Sequence, residues 1–282
     1  MIGSEALAVV FGLASAASWG AGDFSGGVAT KRNSVYSVII VSQLVGGALL
    51  LVLAFLLAEA IPSPDNLLFG GLAGISGALG LVALYTSLAR GRMGIVAPLT
   101  AVVTAFFPVI VGIVNEGFPS TWQLLGFGIA FIAVWFLSRG GSDAAIQAHE
   151  LSLPIAAGLG FGLFFIFIDR VSHSAILWPL VVARIASISM LFVFITTTRR
   201  GGKIPARDQL LIIFLAGILD TGGNAFFALA TRLGRLDISA VLASLYPAAT
   251  VLLAWFILKE RLVFQQWVGV IAALVALVLI AL

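Results

Sequence analysis

The chain has 282 residues, of which 61% are hydrophobic and 10% are charged, and its formal net charge is +3. Because a soluble domain carries about 25% charged residues, this composition excludes an ordinary soluble fold and predicts an integral membrane protein. Cysteine is absent, which excludes disulfides and thiol chemistry, and the lysines and arginines stand between hydrophobic runs, so a nucleic-acid partner is not indicated.

Hydrophobic runs follow one another along the whole chain, separated by short polar segments. Each run holds about 20 mainly apolar residues, the length that a helix needs to cross the hydrocarbon. The predicted helices cover residues 5–29, 34–58, 66–90, 93–115, 119–138, 152–171, 175–198, 208–232, 236–258 and 262–282. The predicted fold class is therefore all-α integral membrane, with ten transmembrane helices.

The third and fourth predicted helices share a sequence pattern with the eighth and ninth. Residues 72–99 align without a gap on residues 215–242, at an offset of 143, with ten identities in 28 positions. Chance would give roughly one identity in ten in so biased a composition, so the chain is an internal duplication. The longest polar break lies at mid-chain. It predicts a first five-helix repeat over 1–141, a linker over 142–149 and a second repeat over 150–282.

An odd number of helices in each repeat sets their relative orientation. Two five-helix repeats joined by one short linker must enter the membrane from opposite sides, which predicts an inverted repeat. An offset of 146 aligns Trp19 with Phe165 in the first helix of each repeat, and an offset of 141 aligns Gln43 with Arg184 in the second. We therefore predict that Trp19 and Phe165 lie at mirrored depths.

The basic residues of the loops predict how the chain lies in the membrane. Eleven of the fourteen loop cations lie in loops on one side of the predicted bundle. The loops on the opposite side carry the other three, Arg170, Arg232 and Arg235, and the two termini carry none. Positive loops stay in the cytoplasm, so we predict a multi-pass protein of the cell inner (plasma) membrane with extracytoplasmic termini. The eleven cations on the predicted cytoplasmic side are Lys31, Arg32, Arg90, Arg92, Arg139, Arg199, Arg200, Lys203, Arg207, Lys259 and Arg261.

Polar residues within spans are expensive to bury and so mark candidate sites. Arg184 lies near the middle of the seventh helix and Asp220 near the middle of the eighth. They are predicted to form a charge pair or to serve in ion coupling: a structural ion pair, titration of Asp220 and contact of Arg184 with a substrate carboxylate all stay open. Asn224 shares the helix face of Asp220. Asp23 and Asp169 lie nearer helix ends and are predicted to be solvated.

Several motifs resemble the ten-helix drug/metabolite transporter superfamily, EamA type. They include Trp19-Gly20 near the end of the first helix and Ala/Leu-rich third and eighth helices followed by proline-containing helices. Pro247, Lys259-Glu260-Arg261 and Trp267-Val268-Gly269 look like the family's P...GE...W-G pattern, with Lys259 in place of glycine. The resemblance implies secondary transport, often export of amino acids, through a cavity lined by helices 1, 3, 4, 6, 8 and 9. Several such exporters are thought to keep both termini in the cytoplasm, the reverse of the charge count here.

A substrate site is predicted where the repeats meet near the midplane. Trp19 and Phe165 are repeat counterparts, and the resemblance places the helices of Tyr85 and Tyr246 around the same cavity. We predict an aromatic wall of these four residues with Asn224 as its polar contact. The alternative is ordinary helix packing.

The predicted function is secondary transport, by alternating access, of a small amphipathic metabolite, an amino acid or related compound, with efflux favoured. No G-x-x-x-x-G-K-[ST] motif is present, so no nucleotide cofactor is expected, and no catalytic or metal site is predicted. The expected partners are a small-molecule substrate and the lipid bilayer, and a homodimer is left open. A passive channel or a lipid-headgroup translocator is the alternative. A membrane-embedded enzyme is less favoured because the only histidines, His149 and His173, lie in loops.

Overall fold

The computed structural model describes residues 3–89, 93–137, 151–198, 205–257 and 263–281. Throughout these ranges the regular elements are helices, and each predicted span corresponds to one helix or to a pair of helices. In chain order they are α1 (Ser4–Thr30), α2 (Val35–Leu56), α3 (Pro64–Ala89), α4 (Met93–Glu116), α5 (Thr121–Leu137), α6 (Ser152–Ser172), α7 (Leu177–Thr198), a 3-10 turn (Arg207–Gln209), α8 (Leu210–Leu233), α9 (Leu236–Ala243), α10 (Tyr246–Ile257) and α11 (Phe264–Ala281).

The lengths and composition of these helices are those of a membrane protein. Seven helical segments are long and apolar enough to cross a bilayer, with α9 and α10 counted together, and shorter apolar stretches lie in α4, α5 and α11. Large apolar side chains on the outer helix faces, such as Ile132, Ile185 and Phe192, are exposed. Exposed apolar faces of this kind are suited to lipid. The fold class predicted from the sequence is confirmed.

Several predicted features lie outside the described residues. They include the linker at 142–149, His149 and eight of the eleven cations on the positive side: Arg90, Arg92, Arg139, Arg199, Arg200, Lys203, Lys259 and Arg261. The repeat boundaries therefore stay predictions.

The ninth span is broken near its middle. The helix α9 ends at Ala243, Ser244 and Leu245 form a turn, and α10 begins at Tyr246. Pro247 has no amide hydrogen to donate, which suits the first turn of a helix but not its interior. By contrast, α4 continues as one helix across Pro98 and Pro108.

The two halves interlock, and their contacts come in matched pairs. The helix α1 packs on α8, and its repeat counterpart α6 packs on α3; likewise α2 packs on α8 and α7 on α3. The helix α1 also packs on α9 and α10, while α6 packs on α4, and α5 packs directly on its counterpart α11. Each contact thus has a partner generated by exchanging the halves. The site between them is consequently built by both.

Two glycines show this correspondence at the level of atoms. A Cβ on Gly74 would overlap the backbone oxygen of Ala183, and a Cβ on Gly217 would overlap the backbone oxygen of Ser42. Gly74 and Gly217 are related by the offset of 143, and Ser42 and Ala183 by the offset of 141. Both helix pairs therefore approach so closely that only glycine fits.

Candidate functional site

A cavity of about 670 Å³, its mouth included, lies between the two halves. Its lining comes from the helices α1, α2, α3, α4, α6, α7, α8 and α10. The family resemblance implied six of the spans involved, and the structure adds the second and seventh. The lining residues are Trp19, Asp23, Gln43, Ala73, Gly74, Gly77, Ala78, Leu81, Thr104, Phe161, Phe164, Phe165, Leu180, Ala183, Arg184, Ser187, Asp220, Asn224 and Tyr246.

An aromatic stack forms one wall of the cavity. The Trp19 and Phe165 rings lie nearly parallel, with centroids 5.3 Å apart and an interplanar angle of 10°. Behind them, Phe165 stacks on Phe227 with a centroid distance of 4.1 Å. The indole Nε1–H of Trp19 donates a hydrogen bond of 3.0 Å to Oδ1 of Asn224. Since Trp19 and Phe165 are repeat counterparts, their contact places them beside the axis that relates the halves.

The two predicted tyrosines occupy different positions. Tyr246 is the first residue of α10 and lines the cavity. Tyr85 is 2% exposed and is not among the lining residues; its ring and hydroxyl lie where a Cβ on Gly26 would stand. The structure therefore brings Trp19, Phe165, Asn224 and Tyr246 to the cavity and leaves Tyr85 behind the wall, between α1 and α3.

The charged residues predicted within the spans meet at the cavity. A nitrogen of Arg184 lies 2.6 Å from Oδ2 of Asp220, and the guanidinium also donates hydrogen bonds to Gln43 and Thr221. The Arg184 side chain is 7% exposed and that of Asp220 is 23% exposed. Ser187 donates a further hydrogen bond to Oε1 of Gln43. Gln43 and Arg184 are repeat counterparts, so this contact also lies beside the axis.

The halves contribute unequally to the polarity of the cavity. On α8, Asp220 and Asn224 face the lining, whereas the positions that correspond to them on α3 are Gly77 and Leu81. The part of the lining that comes from α8 is thus polar and the part that comes from α3 is apolar, although the two helices are related by the repeat. Such an arrangement suits a solute with one polar and one apolar end.

Asp23 is a cavity residue that the sequence prediction missed. It lines the cavity and is only partly buried, whereas its repeat counterpart Asp169 is not among the lining residues. A sequence signal was available, because Asp23 follows Trp19 by four residues and therefore shares its helix face. Its position nearer the end of α1 led instead to the prediction of a solvated residue.

One end of the bundle is held closed by polar contacts between the halves. We call it the Arg235 end, and we call the opposite end, which carries the α1–α2 turn, the Lys31 end. Arg235 forms an ion pair of 2.8 Å with the fully buried Asp237 and donates hydrogen bonds to the backbone oxygens of Glu116 and Gly117. Glu116 in turn accepts the Leu236 N–H. We call these five residues the Arg235 latch.

The charge of the latch is secured by its own geometry. The hydrogen bond with Asp237 is the main cause that raises the pKa of Arg235 above its ordinary value. An arginine is protonated at every physiological pH, so the shift adds no pH dependence to the latch.

A second contact at the Arg235 end joins α2 to the start of α7. The Glu59 carboxylate accepts hydrogen bonds from the backbone N–H groups of Ile176, Leu177 and Trp178, and the Trp178 indole donates to the Glu59 backbone oxygen at 2.8 Å. The first N–H groups of a helix have no partner within the helix. A residue from the first half therefore caps a helix of the second.

Comparison with known proteins agrees with this architecture. A family model described as the EamA-like transporter family matches residues 6–139 and, separately, residues 150–282. A solved structure titled "Crystal structure of protein" is similar over 96% of this chain and 95% of its own, with a TM-score of 0.76 and 13% sequence identity. This likeness concerns the fold alone. A search of curated protein sequences finds no match.

Proposed function

The chain belongs to the EamA-like transporter family, and we propose that it is a secondary carrier that moves a small amphipathic solute, an amino acid or a related compound, across the plasma membrane. One observation carries the proposal. The cavity lies between the two halves, and its lining combines the polar residues Asp220 and Asn224 of α8 with the apolar positions of α3. A solute with a polar group and an apolar body would be held by both parts of the lining at once.

The proposed mechanism is alternating access, with two inverted halves rocking about the cavity. The matched helix contacts support it, because exchanging the halves converts one set of contacts into the other. The cavity lies about two helical turns from either end: Asp23 is that far from the last residue of α1 at the Lys31 end, and Phe165 is that far from the last residue of α6 at the Arg235 end. The latch holds the Arg235 end closed. We infer that the structure represents the state that admits solute from the Lys31 end.

The direction of transport follows from the proposed orientation. The loops of the Lys31 end carry the excess of positive charge, so this end is proposed to face the cytoplasm and both termini the outside. A cavity accessible from the cytoplasm is the loading state of an exporter. We therefore propose efflux as the direction of transport.

Counterflow in proteoliposomes tests the carrier mechanism. Vesicles loaded with a panel of amino acids and organic amines should show saturable, counterflow-stimulated uptake of the labelled compound that is the substrate. Trp19→Ala should raise the half-saturation concentration by on the order of tenfold, because a buried aromatic contact is lost. Trp122→Ala is the matched control, since Trp122 is exposed on α5. Flux without saturation or counterflow would instead indicate a passive channel.

A further inference from the structure

Asp23 is a cavity carboxylate to which the structure assigns no partner. It lines the cavity, and no hydrogen bond or ion pair joins its side chain to another residue in the described ranges. Asp220, on the neighbouring helix, is paired with Arg184 at 2.6 Å. The two carboxyl groups of the cavity therefore differ: Asp220 is paired with Arg184, and Asp23 can still accept a ligand.

The charge balance of the lining favours a cation. Among the described residues that line the cavity, the ionisable side chains apart from tyrosine are Asp23, Asp220 and Arg184, so the carboxyl groups outnumber the guanidinium by one. Asp220 is already paired with Arg184, so a positively charged group near Asp23 would meet the carboxyl group of the lining that has no partner among the described residues. An uncompensated carboxylate at the edge of a low-dielectric cavity attracts a cation more strongly than it would in water.

The other candidate contact for a charged solute is already occupied. Arg184 donates to Gln43, Asp220 and Thr221, and a substrate carboxylate would have to displace Asp220 from it. Trp19, one helical turn before Asp23, supplies aromatic surface on the same helix face. Aromatic faces also attract ammonium groups.

We propose that Asp23 binds the ammonium group of an amphipathic aromatic amine, whose ring rests against the wall formed by Trp19 and Phe165. This inference rests on the proposed function, because it names the substrate class of the same cavity. An amine with one positive charge matches the one carboxyl group of the lining that has no basic partner among the described residues. A carboxylate on the solute adds a charge of the wrong sign.

Three compounds that share the indole ring and differ in the charged groups of the side chain test the proposal. Binding of radiolabelled tryptamine to the purified full chain would be measured by scintillation proximity, with tryptophan and indole-3-propionate as competitors. Tryptamine should bind on the order of tenfold more tightly than tryptophan, and indole-3-propionate should compete least. Asp23→Asn should weaken tryptamine binding by about the same factor and should leave the affinity for tryptophan nearly unchanged.

The duplication provides a matched control. Asp169→Asn changes the repeat counterpart, which is not among the lining residues, and should leave tryptamine affinity as in the parent chain. Absence of tryptamine binding, or equal binding by the parent and the Asp23→Asn chain, overturns the assignment of Asp23. The carrier proposal fails on a different result, namely the absence of saturable counterflow with every member of the panel. Saturable counterflow of any member of the panel, together with equal tryptamine binding by the parent and the Asp23→Asn chain, would remove the cation site and keep the carrier.

Discussion

At the scale of single residues, Arg184 connects the two halves through its guanidinium. The side chain comes from α7 and is held by Gln43 of the first half and by Asp220 and Thr221 of α8. Pairing compensates two charges that would each be costly inside a membrane protein. The ion pair is therefore expected to stabilise the fold whether or not it also takes part in transport.

A double-mutant cycle measures this coupling. Arg184→Gln and Asp220→Asn should each lower the free energy of unfolding by about 2–3 kcal/mol, because each leaves one charge unpaired in a partly buried site. The double substitution should recover more than half of the summed loss. Unfolding in detergent, followed by tryptophan fluorescence, gives the values. Strictly additive losses would contradict the pairing. A folded Asp220→Asn chain that keeps exchange but loses gradient-driven uptake would assign ion coupling to Asp220.

Repeat alignment predicts which cavity residues correspond between the halves, but it does not predict which face of each helix lines the cavity. The alignment of the repeats relates Trp19 to Phe165 and Gln43 to Arg184, and residues beside the axis meet their own counterparts. The sequence predicts this correspondence but not the contact between Gln43 and Arg184. The sequence predicts a solvated Asp23 and a Tyr85 that lines the cavity, whereas the structure has the reverse for the lining. The reason is that depth along a helix does not say which face of the helix points inward. That face depends on helix rotation, which close contacts such as Tyr85 on Gly26 decide.

At the scale of helices, the start of α7 is stabilised by a residue far away in the sequence. Glu59 lies 117 to 119 positions from the N–H groups that it caps, and no local motif announces it. Local capping by Ser, Thr, Asp or Asn is the usual pattern that a sequence reveals. Here the cap also joins the halves, so its loss affects a helix and an interface together.

Substitution of Glu59 separates charge from hydrogen bonding. Glu59→Gln keeps one acceptor and should cost about 1 kcal/mol of unfolding free energy, the size of a helix-dipole interaction. Glu59→Ala leaves the N–H groups of Ile176, Leu177 and Trp178 without their acceptor and should cost about 2 kcal/mol. Asp65→Asn, an exposed residue in the first turn of α3, is the control. Thermal unfolding in detergent gives the order, and equal stability of the three variants would contradict the cap.

At the scale of the whole molecule, the fold could be predicted because it depends on span length and on the repeat, both of which are visible in the sequence. The break at Ser244 and Leu245 is only partly foreseeable: Pro247 marks the region, yet Pro98 and Pro108 leave α4 continuous. A proline permits a break without requiring one. Orientation in the membrane likewise follows from the loop charges and not from packing, so it needs a separate experiment.

Labelling of single cysteines tests the proposed orientation, and the cysteine-free chain makes the result simple to interpret. In intact cells, a membrane-impermeant maleimide should label Ser63→Cys and Ser174→Cys, two exposed positions at the Arg235 end. It should not label Thr198→Cys, an exposed position at the end of α7, until the cells are permeabilised. Labelling of Thr198→Cys alone in intact cells would reverse the orientation and, with it, the proposed efflux.

The Arg235 latch predicts how the two ends of the cavity are coupled. Ala240, one turn inside the latch on α9, is fully buried, so Ala240→Cys should react slowly with a soluble maleimide. In the Ala240→Cys chain, the double substitution Arg235→Gln with Asp237→Asn removes the ion pair. Because both partners are changed, no unpaired carboxylate is left at position 237. If the double substitution lowers the stability of the closed Arg235 end by about 1.4 kcal/mol, labelling of Ala240→Cys should become about tenfold faster.

A control substitution and a second labelling position distinguish rocking of the halves from local loosening of the latch. Arg232→Gln removes an exposed cation close to the latch and should leave the labelling rate at Ala240→Cys unchanged. If the halves move as rigid bodies, opening the Arg235 end closes the other end, because the two sets of helix contacts are exchanged. Labelling of Leu81→Cys, on the cavity wall toward the Lys31 end, should therefore slow in the latch double variant. Unchanged labelling of Leu81→Cys would show that the latch stabilises only its own end, and faster labelling at both positions would show a general loosening. With either result, alternating access would lose its structural support.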